Sequence, residues 1–281
     1  IAHRGSRPGE GCLSTRGLAL RGPHGPVRLK WHKLRSASGV PPHDRSSLRE
    51  GLARGALLEV DLQTTADGHW VCLHDDTLDG ETTGSGIVAE TPRAAMESLR
   101  QRAADGQVQP DRLLFLDELV AIVAGFPHGR VQLDIKSGSG KAGERFGEIV
   151  AAHANRFDIG GHDWSLVHSL AVRAPGIVVG FDPCDRFADR DFTAWCRLIE
   201  SVDAREARLL YLAHQAVSSA LDENLDLVAF AHRRGQEVDC WTIDPDMPDA
   251  PRILERVIGL GADRITTNDP LALEALWCSI S

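Results

Sequence analysis

Short apolar runs alternate with amphipathic stretches along most of this chain. The hydrophobic period switches from two, as in strands, to about 3.6, as in helices. Leu57–Leu62, Val131–Ile135, Ser165–His168, Ile177–Phe181, Leu209–Leu212, Glu237–Trp241 and Arg264–Thr267 read as strands, and Ile1–His3 supplies another. Helical patterns follow them. One runs to Arg54 behind a Ser46 or Ser47 cap and ends at Gly55; another opens at Thr91-Pro92 with proline in its first turn. The rest cover Leu113–Gly125, Ala142–Ala154, Ser169–Ala174, a stretch near Phe192–Ser201, Leu225–Arg234, Pro251–Gly259 and Pro270–Trp277. Strands alternating with helices pair in parallel. Eight such units over roughly 250 residues give an α/β chain of the (β/α)8 TIM-barrel type. Asp67-Gly68 is a tight-turn signal, so His69–Leu73 returns as a β-hairpin inserted after strand two. Residues 6–45 are rich in Gly, Pro, Arg and His and lack a period; they are expected to form a long loop or excursion after strand one. An open doubly wound sheet is disfavoured, because no Gly-x-Gly-x-x-Gly follows a strand. The expectation is one barrel domain spanning residues 1–281.

The strand Leu57–Leu62 carries Glu59 and Asp61, which point to the same face. Alone, they could sit on an edge strand facing water. Buried, two acids on one face need a positive group between them, and carboxylate oxygens suit a hard cation such as Mg²⁺ or Ca²⁺. Barrel enzymes place their chemistry at the C-terminal ends of the strands. Polar, reactive residues gather there in this sequence: His3 and Arg4, Glu59 and Asp61, His74 after the hairpin, Asp134 and Lys136, Trp241, and Thr267-Asn268-Asp269. Glu59, Asp61 and Asp134 make an oxygen-only site for one divalent ion. Arg4 and Lys136 suit an anionic substrate oxygen, most simply a phosphate. His3 and His74 can serve as base and acid on either side of it. Together these residues describe phosphodiester cleavage.

Charge narrows the substrate. A net charge of −9 over 281 residues argues against nucleic-acid binding but allows a small phosphodiester in a local positive pocket. Cys72 and Cys240 lie in apolar runs and read as buried free thiols. No Cys-x-x-Cys occurs, so no zinc or redox motif is indicated. Neither a signal peptide nor an apolar run long enough to span a membrane is visible, and a cytoplasmic location is expected.

His3-Arg4-Gly5, Glu59-x-Asp61, the run from His74-Asp75-Asp76-Thr77-Leu78-Asp79 to Thr82-Thr83-Gly84-Ser85-Gly86, Asp134-x-Lys136 and Trp241-Thr242 together resemble the glycerophosphodiester phosphodiesterase family. The resemblance implies a (β/α)8 barrel that hydrolyses glycerophosphodiesters to glycerol 3-phosphate and an alcohol with Mg²⁺ or Ca²⁺. It implies Glu59, Asp61 and Asp134 as metal ligands and His3 and His74 as the acid/base pair. Arg4 and Lys136 become phosphate contacts and Trp241 an apolar wall against glycerol. A neighbouring glycerol hydroxyl would attack first, giving a cyclic phosphate that water opens. Three positions depart from the family pattern. Pro42-His43-Asp44-Arg45 stands where Pro-Glu-Asn-Thr is usual, after a longer gap. Asp134 replaces a glutamate, and Thr267-Asn268-Asp269-Pro270 replaces Thr-Asp-x-Pro. Alternatives are a lysophospholipase D or sphingomyelinase-D-like activity on the same barrel, and an inactive barrel that binds phosphodiesters.

Overall fold

The computed structural model describes residues 15–103, 105–138, 140–184, 192–202 and 206–281. In chain order its strands are β1 (Ala19–Gly22), β2 (Gly25–Trp31), β3 (Leu57–Thr64), β4 (Trp70–Cys72), β5 (Arg100–Arg102), β6 (Val108–Arg112), β7 (Arg130–Ile135), β8 (Phe157–Gly161), β9 (Val178–Phe181), β10 (Leu209–Ala213), β11 (Glu237–Trp241) and β12 (Arg264–Thr267). Eight of them pair in parallel in the order β2, β12, β11, β10, β9, β8, β7, β3, and a β2–β3 pairing closes the ring. This is the expected TIM-type barrel. β1 is added antiparallel to β2, and β4 returns antiparallel on β3 as the expected hairpin. β5 and β6 form a separate two-stranded ribbon.

Two expectations about the strands are corrected. The barrel's first strand is Gly25–Trp31, inside the stretch read as a loop; Ile1–His3 lie outside the described residues. Val27, Leu29 and Trp31 alternate into the core, and Trp31 Nε1 donates to the Gly17 carbonyl at 2.9 Å. The fourth barrel strand is Phe157–Gly161, not Ser165–His168. Ser165–His168 belong instead to the helix Trp164–Arg173, whose N-terminus Asp163 caps by accepting from Leu166 N. Gly160-Gly161 reads as a turn in sequence. In space Gly160 is required in the strand: a Cβ there would lie 2.4 Å from the Tyr211 ring, and one on Gly180 would lie 2.3 Å from it. The helix His214–Asp222 also follows β10, where no helix is expected before Leu225.

Caps fix the helices near the site. Asp44 accepts from Ser47 N at 2.7 Å and starts the helix Arg45–Arg54; Gly55, left-handed at φ 76°, ends it. That helix packs Leu48 and Leu52 beneath Trp31 and Leu58 in one apolar cluster with Leu133 and Phe157. A second cluster joins β10, β11 and β12 to the C-terminal helices through Leu210, Val238 and Ile265.

The middle of the barrel is polar. Lys30 Nζ lies 2.8 Å from Asp239 Oδ2, bonds Gln132 and sits 4.6 Å above the Tyr211 ring. Arg264 bridges Asp158 at 2.7 Å and Glu237 at 2.9 Å, and Arg130 reaches the other oxygen of Asp158 at 2.8 Å. Thr266 donates to Asp239 at 2.8 Å.

Candidate active site

The register of β3 against β7 assembles the acids. Glu59 lies opposite Gln132 and Asp61 opposite Asp134, so alternation along two neighbouring strands brings three carboxylates to one end of the barrel. One oxygen from each lies within 4.8 Å of the others. Glu59 and Asp61 are buried, and Asp134 is partly exposed. Lys136 follows β7 and reaches back, with Nζ 2.6 Å from Asp134 Oδ2 and 3.1 Å from Asp61 Oδ1.

Electrostatics differ within the cluster. Burial, reinforced by Asp61 and Asp134, pushes the Glu59 carboxyl well above the usual carboxylate range. Burial acts on Asp61 in the same direction, but the hydrogen bond from His43 and the Lys136 ammonium outweigh it and hold that carboxyl well below the range. Desolvation works against the Lys136 charge, and Asp134 and Asp61 overcome it, so the ammonium is held above its ordinary value.

Those residues suit a divalent cation. Glu59 Oε2 accepts the Lys33 N–H at 2.7 Å, whereas Glu59 Oε1 is buried with no hydrogen bond. Asp61 Oδ1 has the Lys136 ammonium 3.1 Å away, so the orphan is Glu59 Oε1. Buried carboxylate oxygens are seldom left so, and an oxygen-only donor set is what a hard cation requires.

Three histidines, His32, His74 and His162, border one cavity of about 230 Å³, which is also lined by Glu59, Asp134, Lys136 and Trp241; the first two follow β2 and β4, which both pair with the β3 strand of Glu59 and Asp61. His74, delivered by the hairpin, lies 2.7 Å through Nδ1 from Asp75 Oδ1, and its backbone N–H donates to Glu81 Oε2 at 2.9 Å. His32 sits immediately beyond β2, where His3 is expected. His32 Nδ1 is 2.9 Å from Asn268 Oδ1. Asn268 Nδ2 donates to Asp244 at 2.7 Å, which turns the amide oxygen toward the imidazole. His32 must therefore carry its proton on Nδ1, leaving the Nε2 lone pair beside Glu59, 3.9 Å from Oε2. Burial lowers the His32 pKa to about 4, so the ring is neutral near pH 7.

The sequence-expected residues thus divide. Glu59, Asp61, Asp134, Lys136, His74 and Trp241 converge on one end of the barrel. His3 and Arg4 lie outside the described residues, and the strand end assigned to them carries His32 and Lys33. The nearby Arg35 donates to Asn268 Oδ1 through Nη1 at 3.2 Å. Three contributors were not anticipated: His32, His43 behind Asp61, and a far wall of His162 and Asp182 at the ends of β8 and β9. Burial raises the Asp182 carboxyl to about 6. The alternation of Val27, Leu29 and Trp31 just before His32 is the signal that finds the first of these.

A parallel eight-stranded barrel with an acidic, oxygen-only cluster, a lysine and two histidines at one rim defines a metal-assisted phosphoester hydrolase. The model of the glycerophosphoryl diester phosphodiesterase family matches residues 42–171, and the chain is a phosphoric diester hydrolase. The family depends on divalent metal. The chain is 28% identical over 238 residues to a probable glycerophosphodiester phosphodiesterase 1 of Mycobacterium tuberculosis, covering 75% of this chain and 80% of that one. Its fold is that of a putative glycerophosphoryl diester phosphodiesterase from Silicibacter pomeroyi, with a TM-score of 0.70, 24% identity, and 93% and 95% of the two chains covered. A phosphodiesterase of Oleispira antarctica, in complex with its product sn-glycerol-3-phosphate, aligns at a TM-score of 0.62 with 19% identity over 88% and 95%. Among the described residues no helix is long and apolar enough to cross a membrane.

Proposed function

We propose that this chain hydrolyses glycerophosphodiesters to glycerol 3-phosphate and an alcohol, with His32 and His74 as the proton-transfer pair. The observation that carries this reading is the shared cavity. Glu59 and Asp134 of the acidic cluster, Lys136 and the imidazoles of His32 and His74 face one space of about 230 Å³, and Asp61 stands behind them with one oxygen within 4.8 Å of the other two acids.

Glu59, Asp61 and Asp134 would hold one divalent ion, Mg²⁺ or Ca²⁺. When bound, that ion neutralises phosphate charge and lowers the pKa of an attacking hydroxyl. Lys136 holds a phosphate oxygen from the β7 side. His32 is the general base: its Nε2 lone pair, fixed by the Asn268 hydrogen bond at Nδ1, takes the proton of the attacking glycerol hydroxyl. His74 is the general acid: Nε2 gives its proton to the leaving alcohol oxygen, and Asp75 orients the ring through Nδ1. The attack forms a cyclic phosphate, which water opens with the two roles exchanged. Trp241 lies against the carbon skeleton, and the His162–Asp182 wall receives the far arm of the substrate.

Release of glycerol 3-phosphate from glycerophosphocholine tests the reading. Turnover that EDTA abolishes and a divalent ion restores is the expected result. Turnover of lysolipids without turnover of the soluble diester would replace it with a lysophospholipase D activity, and binding without turnover would leave an inactive barrel.

A further inference from the structure

The family pattern places glutamate where this chain has His43, and the structure gives that histidine two contacts at the acidic cluster. His43 is fully buried, and its Nε2 lies 3.2 Å from Asp61 Oδ2. The same nitrogen is 3.3 Å from the Asp61 backbone N. It cannot donate to one and accept from the other. The carboxylate decides: an Nε2–H makes a charge-assisted hydrogen bond to Asp61 Oδ2, whereas a bare Nε2 would set its lone pair against that oxygen. The proton therefore sits on Nε2 and is donated to Asp61 Oδ2.

The second contact is through the backbone. His43 N donates to the Lys33 carbonyl at 2.7 Å, and Lys33 N donates to Glu59 Oε2 at 2.7 Å. Lys33, Leu34 and His43 all adopt left-handed backbone angles, with φ of 52°, 58° and 56°. Non-glycine residues hold such angles only where the surroundings enforce them, and such residues gather at functional sites. One residue thus fixes the inner oxygen of both buried acids, Asp61 Oδ2 directly and Glu59 Oε2 through Lys33. Of the other two oxygens, Glu59 Oε1 is buried with no hydrogen bond, and Asp61 Oδ1 meets the Lys136 ammonium at 3.1 Å.

We propose that His43 is a positioning residue for the divalent-ion site, orienting Asp61 by its imidazole and Glu59 through the Lys33 turn so that one oxygen of each is presented to the ion. The proposal rests on reading Glu59, Asp61 and Asp134 as the ion's ligands. Groups that orient metal ligands typically change affinity by 10- to 100-fold when removed. Glutamine can carry an N–H to the same place as Nε2; asparagine is one methylene too short.

Calorimetric titration of the metal-stripped chain with Ca²⁺ and with Mg²⁺ tests this, alongside the melting midpoint with and without the ion. His43→Gln is expected to bind within about threefold of wild type, and His43→Asn 10- to 100-fold more weakly. The ion-induced rise in midpoint should shrink in His43→Asn and persist in His43→Gln. A folded His43→Asn that binds at wild-type affinity overturns the proposal and leaves the ion site standing. If His43→Asn does not fold, His43→Gln decides: wild-type affinity supports the proposal, and affinity tenfold weaker overturns it. A wild-type chain that binds neither ion overturns the site itself and the proposal with it.

Discussion

Buried charge occurs at two levels of this barrel, and the levels are balanced differently. In the middle, each acid meets a cation: Asp239 meets Lys30, Asp158 meets Arg264 and Arg130, and Arg264 also reaches Glu237. At the rim, Glu59, Asp61 and Asp134 share only Lys136 among the described residues, and Glu59 makes no contact with its ammonium within ion-pair distance. The middle network pairs acid with cation across β2, β7, β8, β11 and β12. Among the described residues the rim cluster sets three acids against one cation, a balance that favours taking up a further positive charge. Charge balance, rather than burial or polarity alone, separates the scaffold from the site.

Substitutions can break that contrast. The largest effect is expected from the imidazoles: His32→Gln and His74→Gln should each lower kcat by about 10²–10⁴-fold without shifting the melting midpoint. A near-normal rate in either variant removes that ring from the mechanism. In the balanced layer, Asp158→Ala leaves Arg264 and Arg130 facing a void and should cost about 3–5 kcal/mol in urea unfolding. The same change should leave ion affinity untouched. At the rim, Glu59→Gln should reverse the pattern, with stability held or raised and Ca²⁺ or Mg²⁺ affinity lost in calorimetry. If Glu59→Gln destabilises as much as Asp158→Ala, the two levels do not differ in kind.

The smallest effect concerns Asp182. Its folded-state pKa is about 6, above the ordinary 3.8, so the folded chain holds that proton more tightly than the unfolded one. The stability it contributes is complete below about pH 4 and is lost as pH rises through 6. Asp182→Asn should therefore flatten the pH dependence of unfolding between those limits. It should also add ~1–3 kcal/mol above pH 7, at one pKa unit per 1.36 kcal/mol. An unchanged slope in that window would show that burial does not govern this carboxyl.

Much of this organisation was legible in the chain itself, because strands project alternate residues to one side. Glu59 and Asp61 follow from i and i+2 on an apolar run, and Asp134 and Lys136 repeat the spacing on the next barrel strand. Pairing register, which no single strand states, is what sets Asp61 opposite Asp134. The first strand was missed because its inward face carries Lys30, so Gly25–Trp31 looks like a basic loop until Asp239 is seen to neutralise it. A complete-looking His-Arg-Gly at residues 3–5 then drew the assignment away from His32. His32 stands ten residues before Pro42, far closer to the run that usually follows the family's histidine. The β8 error has a similar origin: a glycine pair usually marks a turn, and here it makes room for a ring from β10.

That ring sets the size of the space above it. Tyr211 lines the cavity and leans over Gly160 and Gly180, where hydrogen atoms stand in place of methyl groups. A methyl on either strand would push the phenol upward and shorten the chamber from below. The reach available to a substrate is thus set partly by two of the smallest residues, on strands that supply no reactive group at those positions.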